Sequence, residues 1–340
     1  MIEDSGARVC AVIVHHRGRR LLGRCLDALL TSTGVELSIV VVANACEEAL
    51  PEVANANPDI HVVMSRRSLG FSAANNLGAA WAHENLPASD YLLFINNDTL
   101  VEPQALVRLA AGLAEDPECA IVGPRLMIWG AEDVVNSLGL NLTRTGQAWD
   151  QGIGRPLREF EPLPARRPVI AVTGAALMVR SQAFLDLGEW EDLYAFYFED
   201  IDLCLRAWAQ GWEVVVVTDA VIHHAISATA ARGSDMKIKL SWRNRFLLML
   251  IHWPWPLLFA AGARTARAEL GLAVRRLRAG ARADLALQVR SWLGAARRWP
   301  AALASRRRRG RDARWTERLE PHGSVPSISL PELPKDALLD

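Results

Sequence analysis

Between residues 1 and 220, short apolar runs alternate with amphipathic stretches. Runs rich in Val and Ile are typical of buried strands, whereas apolar residues three or four positions apart are typical of helices. We predict strands at Val9–Val14, Leu37–Ala43, His61–Met64, Tyr91–Ile95, Ala120–Val122 and Val214–Val217. We predict helices at Arg19–Leu30, Ser72–Glu84 (with Ser72 as a candidate N-cap), Pro103–Glu115 and Asp200–Gln210. Residues 125–168, rich in Gly, Pro and Arg, are predicted to form an irregular excursion over the surface.

Strands that alternate with helices predict an α/β fold with a mostly parallel sheet flanked by helices on both faces. Ligands of such sheets bind at the carboxyl ends of the strands. Polar residues follow the predicted strands at these ends, and they are the first candidates for a site: His15–Arg17, Asn44 and Asn96–Asp98.

The segment Phe246–Ala263 contains no fully charged residue but has two prolines and lies between Arg245 and Arg264. At 18 residues it is short for a membrane-spanning helix, which needs about 20 apolar residues. Two interpretations remain open at this point. The segment either lies in the membrane interface or forms a buried helix pair that closes the preceding domain.

The net charge of zero conceals an uneven distribution. The stretch Arg264–Arg314 has 15 arginines and three acidic residues, a charge of +12, while residues 1–263 carry −9 and 315–340 carry −3. A basic arm on an acidic body indicates an anionic partner. We favour an anionic membrane surface, because no nucleic-acid recognition motif accompanies the run Arg306–Arg309.

Three regions follow from these patterns: an α/β domain at 1–245, an apolar and Arg-rich helical extension at 246–314, and a tail of disorder-prone composition at 315–340. Five scattered cysteines argue against a disulfide framework and favour a reducing compartment. The first residues lack the shape of a signal peptide. We therefore expect a cytoplasmic protein that is peripheral on the cytoplasmic face of the membrane.

Asp98 follows an apolar strand in the sequence Asn96-Asn-Asp-Thr99. A carboxylate in this position is suited to holding Mg²⁺ or Mn²⁺ against a diphosphate, since such ions share their remaining ligands with phosphate and water. An ordinary turn, or an N-cap for the following helix, explains Asp98 alone equally well.

Three carboxylates occur within four residues at Glu199, Asp200 and Asp202. Such crowding raises at least one pKa, which suits a general base. A helix N-terminus also favours acidic residues, and Asp202 lies four positions before Arg206, as expected for an ion pair within one helix. We assign Asp202 to structure and Asp200 to chemistry, with Glu199 as a second candidate.

His223 and His224 follow the last predicted strand. Adjacent strand residues face opposite sides, so only one of them is expected to reach the site. A neutral imidazole is a suitable ligand for Mn²⁺, although a single histidine near a strand end is more often structural.

The order of these motifs resembles glycosyltransferase family 2, the enzymes of GT-A fold, and in particular its bacterial rhamnosyltransferase-like members. The resemblance covers about residues 8–250. Five segments carry it: Arg67-Ser-Leu-Gly-Phe-Ser-Ala-Ala-Asn-Asn-Leu-Gly78, Asn96-Asn-Asp-Thr99, Gly174-Ala-Ala-Leu-Met-Val-Arg180, Glu199-Asp-Ile-Asp-Leu-Cys-Leu-Arg206 and His224-Ala-Ile-Ser-Ala-Thr229, followed by Arg243-Asn-Arg245.

The resemblance implies a sugar transfer from a nucleotide-diphosphate donor, with inversion, to a glycan or lipid-linked acceptor. Asp98 and His224 would hold Mn²⁺ or Mg²⁺, and Asp200 would be the base. Gly70, Phe71 and Asn75 would shape the nucleotide and sugar pocket, and Asn96 would take the outer position of the acidic pair with Asp98. Gly174 and Ala175 would lie where the acceptor or donor sugar approaches the backbone closely. His15, Arg17, Asn44 and Asn97, which follow predicted strands, are further candidates for donor contacts.

Two positions depart from the family pattern. His15-His16-Arg17 stands where the family usually has Thr-Tyr-Asn, and Ala43 stands where it has Asp. Both changes concern nucleotide recognition, so the reaction type is better defined than the donor.

Two other classes of protein were considered. A nucleotidyltransferase or a dinucleotide enzyme would carry a Gly-rich loop after the first strand, which is absent here. A non-catalytic homologue that binds glycan or a partner after losing donor binding is the remaining alternative. Ala43 favours this alternative, and the presence of Asp98, Asp200 and His224 argues against it.

Overall fold

A central β-sheet with helices on both faces is followed by a helical C-terminal region. The structure, a computed structural model, describes residues 6–226, 235–308 and 313–321. The strands are β1 (Ala7–His15), β2 (Val35–Asn44), β3 (Ile60–Ser65), β4 (Tyr91–Asn96), β5 (Thr99–Val101), β6 (Cys119–Ile128), β7 (Ala131–Ser137), β8 (Leu140–Leu142), β9 (Ala148–Asp150), β10 (Arg166–Pro168), β11 (Ala176–Arg180) and β12 (Glu213–His224). The helices are α1 (Arg19–Leu30), α2 (Glu52–Ala56), α3 (Phe71–Asn85), α4 (Ala105–Ala114), α5 (Ser181–Asp186), α6 (Glu199–Ala209), α7 (Asp235–His252), α8 (Trp255–Arg278) and α9 (Arg282–Arg308).

The sheet has the strand order β10-β12-β6-β11-β4-β1-β2-β3, with β5 paired to β12 and β7 paired to β6. Neighbours from β4 to β3 are parallel, as are β6 and β12, while β11 runs antiparallel between the two groups. Alternate side chains of β1 enter opposite layers, as strand geometry requires. Val9 and Ile13 pack with α1 and α4, whereas Cys10 and Val12 pack on the side of α3 and α6.

The predicted strands are all present, and helix α1 has the predicted bounds. Two predictions are wrong. Residues 125–168 are not an irregular surface excursion, because β6 continues to Ile128 and the chain then forms β7 to β10, with Val135 and Leu142 fully buried. Ser72 does not cap α3, since the helix begins at Phe71 and the Ser72 hydroxyl donates to the carbonyl of Glu191.

The C-terminal helices pack onto the domain formed by the sheet. Helix α7 crosses the boundary placed between residues 245 and 246, and its residues 247–251 are buried. The buried-pair interpretation therefore holds for this part of Phe246–Ala263, whereas Trp255 and Phe259 on α8 are 50% and 69% exposed. Within the described ranges, none of the helices combines the length and apolarity that a membrane crossing requires.

The chain remains ordered beyond residue 314. Residues Arg314–Arg318 form a short 3-10 helix, and Trp315 is buried against His252 and Trp253. The rest of the predicted tail, from residue 322, and residues 227–229 of the His224–Thr229 motif lie outside the described residues.

Candidate active site

The carboxyl ends of β1, β2 and β4 bring three of the predicted residues to one edge of the sheet. In the strand registers, Val14 lies opposite Asn96 and His15 lies opposite Ala43, next to Asn44. The side-chain amide of Asn97 donates to the buried His15 at Nδ1 (3.0 Å) and to the carbonyl of Arg17 (2.9 Å). The loops after β1 and β4 are thereby joined into one wall.

Asn44 binds backbone rather than projecting into open space. Its Nδ2 donates to the carbonyl of Leu69 (3.0 Å), and its Oδ1 accepts from the amide of Leu69 (2.8 Å). Both polar atoms of this amide are therefore used in fixing the segment that leads to Gly70 and Phe71. Asn44 lies at the end of β2 as expected and positions the Leu69 backbone, while its role in donor binding stays a prediction.

Gly70 permits a close approach between two chain segments. A Cβ at this position would lie 2.7 Å from the carbonyl oxygen of Ala195, a distance that real Cβ atoms do not adopt. The neighbouring amide of Phe71 donates to the same oxygen (2.7 Å). The side chain of Asn75 is buried and donates to the carbonyl of Phe71 within α3.

The segment Ala195–Phe198 is held in an unusual backbone conformation. Ala195, Tyr197 and Phe198 have φ values of 65°, 68° and 77°, in the left-handed region that non-glycine residues rarely occupy. Such strain persists only where surrounding contacts determine it. The buried amide of Asn244 supplies them, since its Nδ2 lies 2.8 Å from the carbonyl of Phe196 and 2.7 Å from that of Tyr197.

Asp200 follows directly after this strained segment, in the first turn of α6. Its carboxylate accepts from two backbone amides, that of Gly174 (2.9 Å) and that of Ile201 (2.8 Å). The ring of Phe71 approaches the same glycine, where an added Cβ would be 3.3 Å from Cζ. Next to it, the carbonyl of Ala175 accepts from the amide of Asn96 (3.0 Å). The predicted site residues at Gly174 and Ala175 therefore lie next to the predicted site residue Asn96.

Asp98, which follows Asn97 of this wall in the sequence, faces His224. The pairing of Thr99 with His224 brings Asp98 beside the imidazole, and Asp98 Oδ1 is 3.3 Å from His224 Nε2. Both residues are buried, at 3% and 8% exposure. His223 points the other way, 3.3 Å from Glu102, so the predicted division between the two histidines is confirmed.

The donor set at Asp98 and His224 fits a hard divalent cation. His224 Nδ1 is 2.8 Å from Oδ1 of Asn136, so Nδ1 donates to Asn136 and Nε2 is the ring nitrogen that faces Asp98. A carboxylate oxygen and an imidazole nitrogen that face each other in this way could share a cation, and both atom types are ligands of Mn²⁺. No group of three or more His, Cys, Asp or Glu suited to a metal occurs among the described residues. In general, Mg²⁺ is bound by one or two carboxylates together with substrate phosphates and water.

A sequence model described as "Glycosyltransferase like family 2" matches residues 7–246, most of the chain and all of the sheet. The chain belongs to this family.

Two relatives indicate where in the family this glycosyltransferase lies. The N-acetylglucosaminyl-diphospho-decaprenol L-rhamnosyltransferase of Mycobacterium tuberculosis is 26% identical over 225 residues, 61% of this chain and 73% of that protein. A low-salt glycan biosynthesis hexosyltransferase of Haloferax volcanii is 23% identical over 214 residues, 61% of this chain and 66% of that protein. The resemblance to the rhamnosyltransferase-like members is confirmed, and the chain is a glycosyltransferase of the hexosyltransferase type.

A solved structure supports the fold assignment. GalNAc-T7, determined with UDP, GalNAc and Mn²⁺, superposes with a TM-score of 0.59 at 15% identity, over 74% of this chain and 49% of that chain. This chain thus spans about half the length of that structure. The predicted GT-A fold is confirmed, with a C-terminal helical region added to it.

The acidic run of this glycosyltransferase divides into three roles by environment. Asp202 is fully buried and bound by Arg206 (2.8 Å), Tyr194 (3.1 Å) and His252 (2.7 Å), which confirms its structural assignment. Burial raises the pKa of Glu199 well above its usual value, and the charge of Asp200 raises it further. Burial also raises the pKa of Asp200, but the amides of Gly174 and Ile201 oppose that rise, so Asp200 is the better candidate for the ionised partner.

Three residues with clear contacts to the site were not found in the sequence. Asn136 and Asp150 lie in the stretch that was predicted to be irregular, so the sequence did not predict the strands on which they stand. Asn244 lies in the Arg243-Asn-Arg245 segment, which was recognised without a role. Its position on α7, about 50 residues after the loop it binds, gives no local signal of that contact.

Proposed function

We propose that this glycosyltransferase moves a sugar from a nucleotide-diphosphate donor to a hydroxyl of a glycan or lipid-linked acceptor, with inversion and with Mn²⁺ or Mg²⁺. The observation that carries the proposal is that two chemical groups adjoin the end of β4, where the amide of Asn96 binds the carbonyl of Ala175 and Asp98 follows two residues later. Asp98 and His224 offer ligands for a cation, and Asp200 offers a carboxylate held by two backbone amides.

In the proposed reaction, Asp200 accepts the proton of the acceptor hydroxyl as its oxygen attacks the anomeric carbon. The bond from that carbon to the diphosphate breaks on the opposite side, and a single displacement inverts the configuration. A cation held by Asp98 and His224 would stabilise the negative charge of the leaving diphosphate. Burial raises the pKa of Glu199 well above its usual value and so favours its protonated form, which makes Glu199 the weaker candidate for the base.

Rhamnose from a dTDP donor, added to a lipid-linked envelope glycan, is the specific reaction we propose. The rhamnosyltransferase relative supports this choice, since its name gives rhamnose as the sugar and N-acetylglucosaminyl-diphospho-decaprenol as the acceptor. Ala43 argues for an unusual nucleotide contact, because it is fully buried between β1 and β3 and presents no carboxylate. The same alanine is the observation that keeps a non-catalytic, glycan-binding homologue as the second candidate.

The experiment is a thermal-shift titration with dTDP, UDP and GDP and their sugars in the presence of Mn²⁺. At least one pair should raise the melting temperature, and Asp98→Ala should remove the effect. Asp200→Asn should bind the same donor without transferring sugar. If no nucleotide shifts the wild-type protein, the non-catalytic candidate is the correct one. Full activity of Asp200→Asn would assign the base to another residue.

We further propose that α8 rests on an anionic membrane surface. Its exposed large apolar residues fall on one side at helical spacing, with exposed arginines beside them and a buried face opposite. The apolar residues are Trp255, Phe259, Leu270, Val274 and Leu277. The exposed arginines are Arg264, Arg267, Arg275 and Arg278. The buried face consists of Ala261, Thr265 and Glu269.

Sedimentation with vesicles tests this surface. The wild-type protein should bind phosphatidylglycerol-containing vesicles and not pure phosphatidylcholine vesicles, because charge and apolar burial both contribute. Phe259→Asp with Leu270→Asp should abolish binding. Met64→Asp is the matched control, since Met64 is an equally exposed apolar residue (66%) on β3. Equal binding by all three proteins would refute the assignment of α8.

A further inference from the structure

The histidine ring that follows β1 has its hydrogen-bonding roles fixed by the neighbouring strand. His16 Nδ1 lies 2.9 Å from the backbone carbonyl of Asn44, at the end of β2. A carbonyl oxygen can only accept, so Nδ1 carries the proton and donates it. In the neutral ring Nε2 is then an acceptor, and the bond to Asn44 is the only hydrogen bond that the ring makes with the described residues. Because His16 is exposed, its Nε2 is available to a ligand.

The loop that carries His16 is held from both sides. On the side of β4, the side-chain amide of Asn97 donates to the carbonyl of Arg17 (2.9 Å). On the side of β2, the carboxylate of Glu48 accepts from the amide of Arg19 (3.0 Å) at the start of α1. A loop held in this way loses little conformational entropy when a ligand binds to its side chains.

The order of the strands places His16 on the nucleoside side of the proposed donor site. The cation ligand Asp98 follows β4, and the candidate base Asp200 binds the amide of Gly174, two residues before β11. In the sheet, β11 lies on one side of β4, whereas β1 and β2 lie on the other. A donor whose diphosphate lies at Asp98 and whose sugar reaches Asp200 therefore extends its nucleoside towards the ends of β1 and β2. The end of β2 is two strand spacings from β4, about 10 Å, a distance that a ribose and a base can cover.

The two residues that end β2 offer no side-chain acceptor to a base. Both polar atoms of the Asn44 side chain bind the backbone of Leu69. Ala43 is fully buried and has no polar side chain. The ring of His16, which is joined to the backbone of the same strand end, supplies the acceptor that these two residues lack.

The edge of the His16 ring matches one class of nucleobase. Nε2 is flanked by two C–H groups, so the ring presents one acceptor between two weak donors. Uracil and thymine present the reverse pattern, because their N3–H lies between two carbonyl oxygens. Cytosine has a lone pair at N3, which repels that of Nε2. Guanine has an amino group beside its N1–H, and the ring offers no acceptor to that group.

We propose that His16 Nε2 accepts a hydrogen bond from the N3–H of the donor's uracil or thymine base and so selects UDP- or dTDP-sugars over CDP- and GDP-sugars. This inference rests on the proposed function. A site built to bind a donor group rejects an analogue that lacks this group, because the polar atom of the protein is left unpaired. His16 is therefore a specificity-determining residue in addition to the base and the metal ligands.

The test removes the proton from the base and the acceptor from the protein. Calorimetry with Mn²⁺ gives the affinities of UDP, dTDP, CDP, GDP and the N3-methyl derivatives of UDP and dTDP. The wild-type protein should bind UDP or dTDP at least about tenfold more tightly than CDP, GDP and the N3-methyl derivatives. His16→Ala and His16→Phe should each weaken binding of the preferred nucleotide about tenfold and change that of its N3-methyl derivative by less than about twofold. His16→Phe keeps a ring without the acceptor, so it separates hydrogen bonding from stacking.

His83→Ala is the matched control, since His83 is an exposed histidine in the last turn of α3. It should leave all of these affinities unchanged.

Three results would overturn the inference and leave the proposed function standing. Equal losses for a nucleotide and its N3-methyl derivative in His16→Ala would make His16 a positioning residue for its loop. Wild-type affinity in His16→Phe would assign stacking to the ring in place of a hydrogen bond. Tighter binding of CDP or GDP by the wild-type protein would assign the base to other contacts. A wild-type protein that binds none of these nucleotides would remove the inference and the proposed function together.

Discussion

Replacing Asn244 by alanine should lower both the stability of the protein and its rate of sugar transfer. The buried amide of Asn244 donates to the carbonyls of Phe196 and Tyr197 at 2.8 and 2.7 Å and lies 3.1 Å from that of Tyr194. Its two protons make two full hydrogen bonds, each of which contributes about 1 kcal/mol, and their loss leaves carbonyls with desolvation costs of about 1–3 kcal/mol. In this variant the carbonyl of Tyr194 still accepts a hydrogen bond from Arg243. The expected loss in free energy of unfolding is therefore about 3 kcal/mol.

The lower rate of sugar transfer follows from the loss of the hydrogen bonds that hold the segment before Asp200. Without the hydrogen bonds from Asn244, the segment Ala195–Phe198 can leave its left-handed conformation. Asp200 lies only two residues after Phe198, so its position depends on this segment. Because small displacements of a base are costly, we expect kcat to fall at least about tenfold while donor binding at Asp98 is retained. The measurements are urea unfolding, kcat with a saturating donor, and the donor affinity.

Gln288→Ala is the matched control. Gln288 is also a fully buried amide, and it donates to Glu269 at its carbonyl (3.0 Å) and its carboxylate (2.7 Å), so it joins α9 to α8 away from the site. It should reduce stability to a similar degree and leave kcat unchanged. The reasoning is refuted if Asn244→Ala costs less than about 0.5 kcal/mol, or if both variants reduce kcat equally.

Three further predictions concern the site. Asn136→Ala should weaken Mn²⁺ binding about tenfold to a hundredfold, measured by calorimetry, because the tautomer of His224 is no longer fixed; unchanged affinity would assign the metal to other ligands. Gly70→Ala should lower kcat and melting temperature together, since its Cβ would meet the carbonyl of Ala195, and a fully active variant would contradict that contact. The raised pKa of Glu199 means that its contribution to stability is present below the usual carboxyl pKa and lost as the pH rises through the raised value. Glu199→Gln should therefore be more stable than wild type near neutral pH and equal to it in acid, and parallel unfolding curves against pH would exclude this explanation.

The parallel part of the sheet was predictable because its signals are local. Runs such as Val9–Val14 are buried on both faces, so they read as continuous apolar strands, and parallel strands place their carboxyl ends at one edge. That geometry alone brings His15, Asn44 and Asn96 together, as the registers show. The candidate site was located by the same reasoning, and the family resemblance added roles that the spacing does not contain.

The stretch 125–168 was misassigned because its structure depends on distant partners. Val135 and Leu142 are buried by contacts with β6 and with later strands, while the flanking Gly and Pro residues give turn signals that dominate the local pattern. Strands of three residues, such as β8 and β9, carry too little alternation to be recognised. Asn136 and Asp150 lie on these strands and were therefore not predicted.

The segment Phe246–Ala263 was ambiguous for a different reason, since composition is the same on both sides of Pro254. Leu250 is buried because α9 returns over α7, where Ala302 and Leu303 join the same cluster, whereas Phe259 has no such cover from the described residues.

This arrangement also decides how membrane binding should be tested. Truncation after residue 264 would remove α9 and expose the buried face of α7, so lost membrane binding would be confounded by unfolding. Aspartates at Phe259 and Leu270 change only exposed positions of α8, so lost vesicle binding with an unchanged melting temperature can be attributed to that surface.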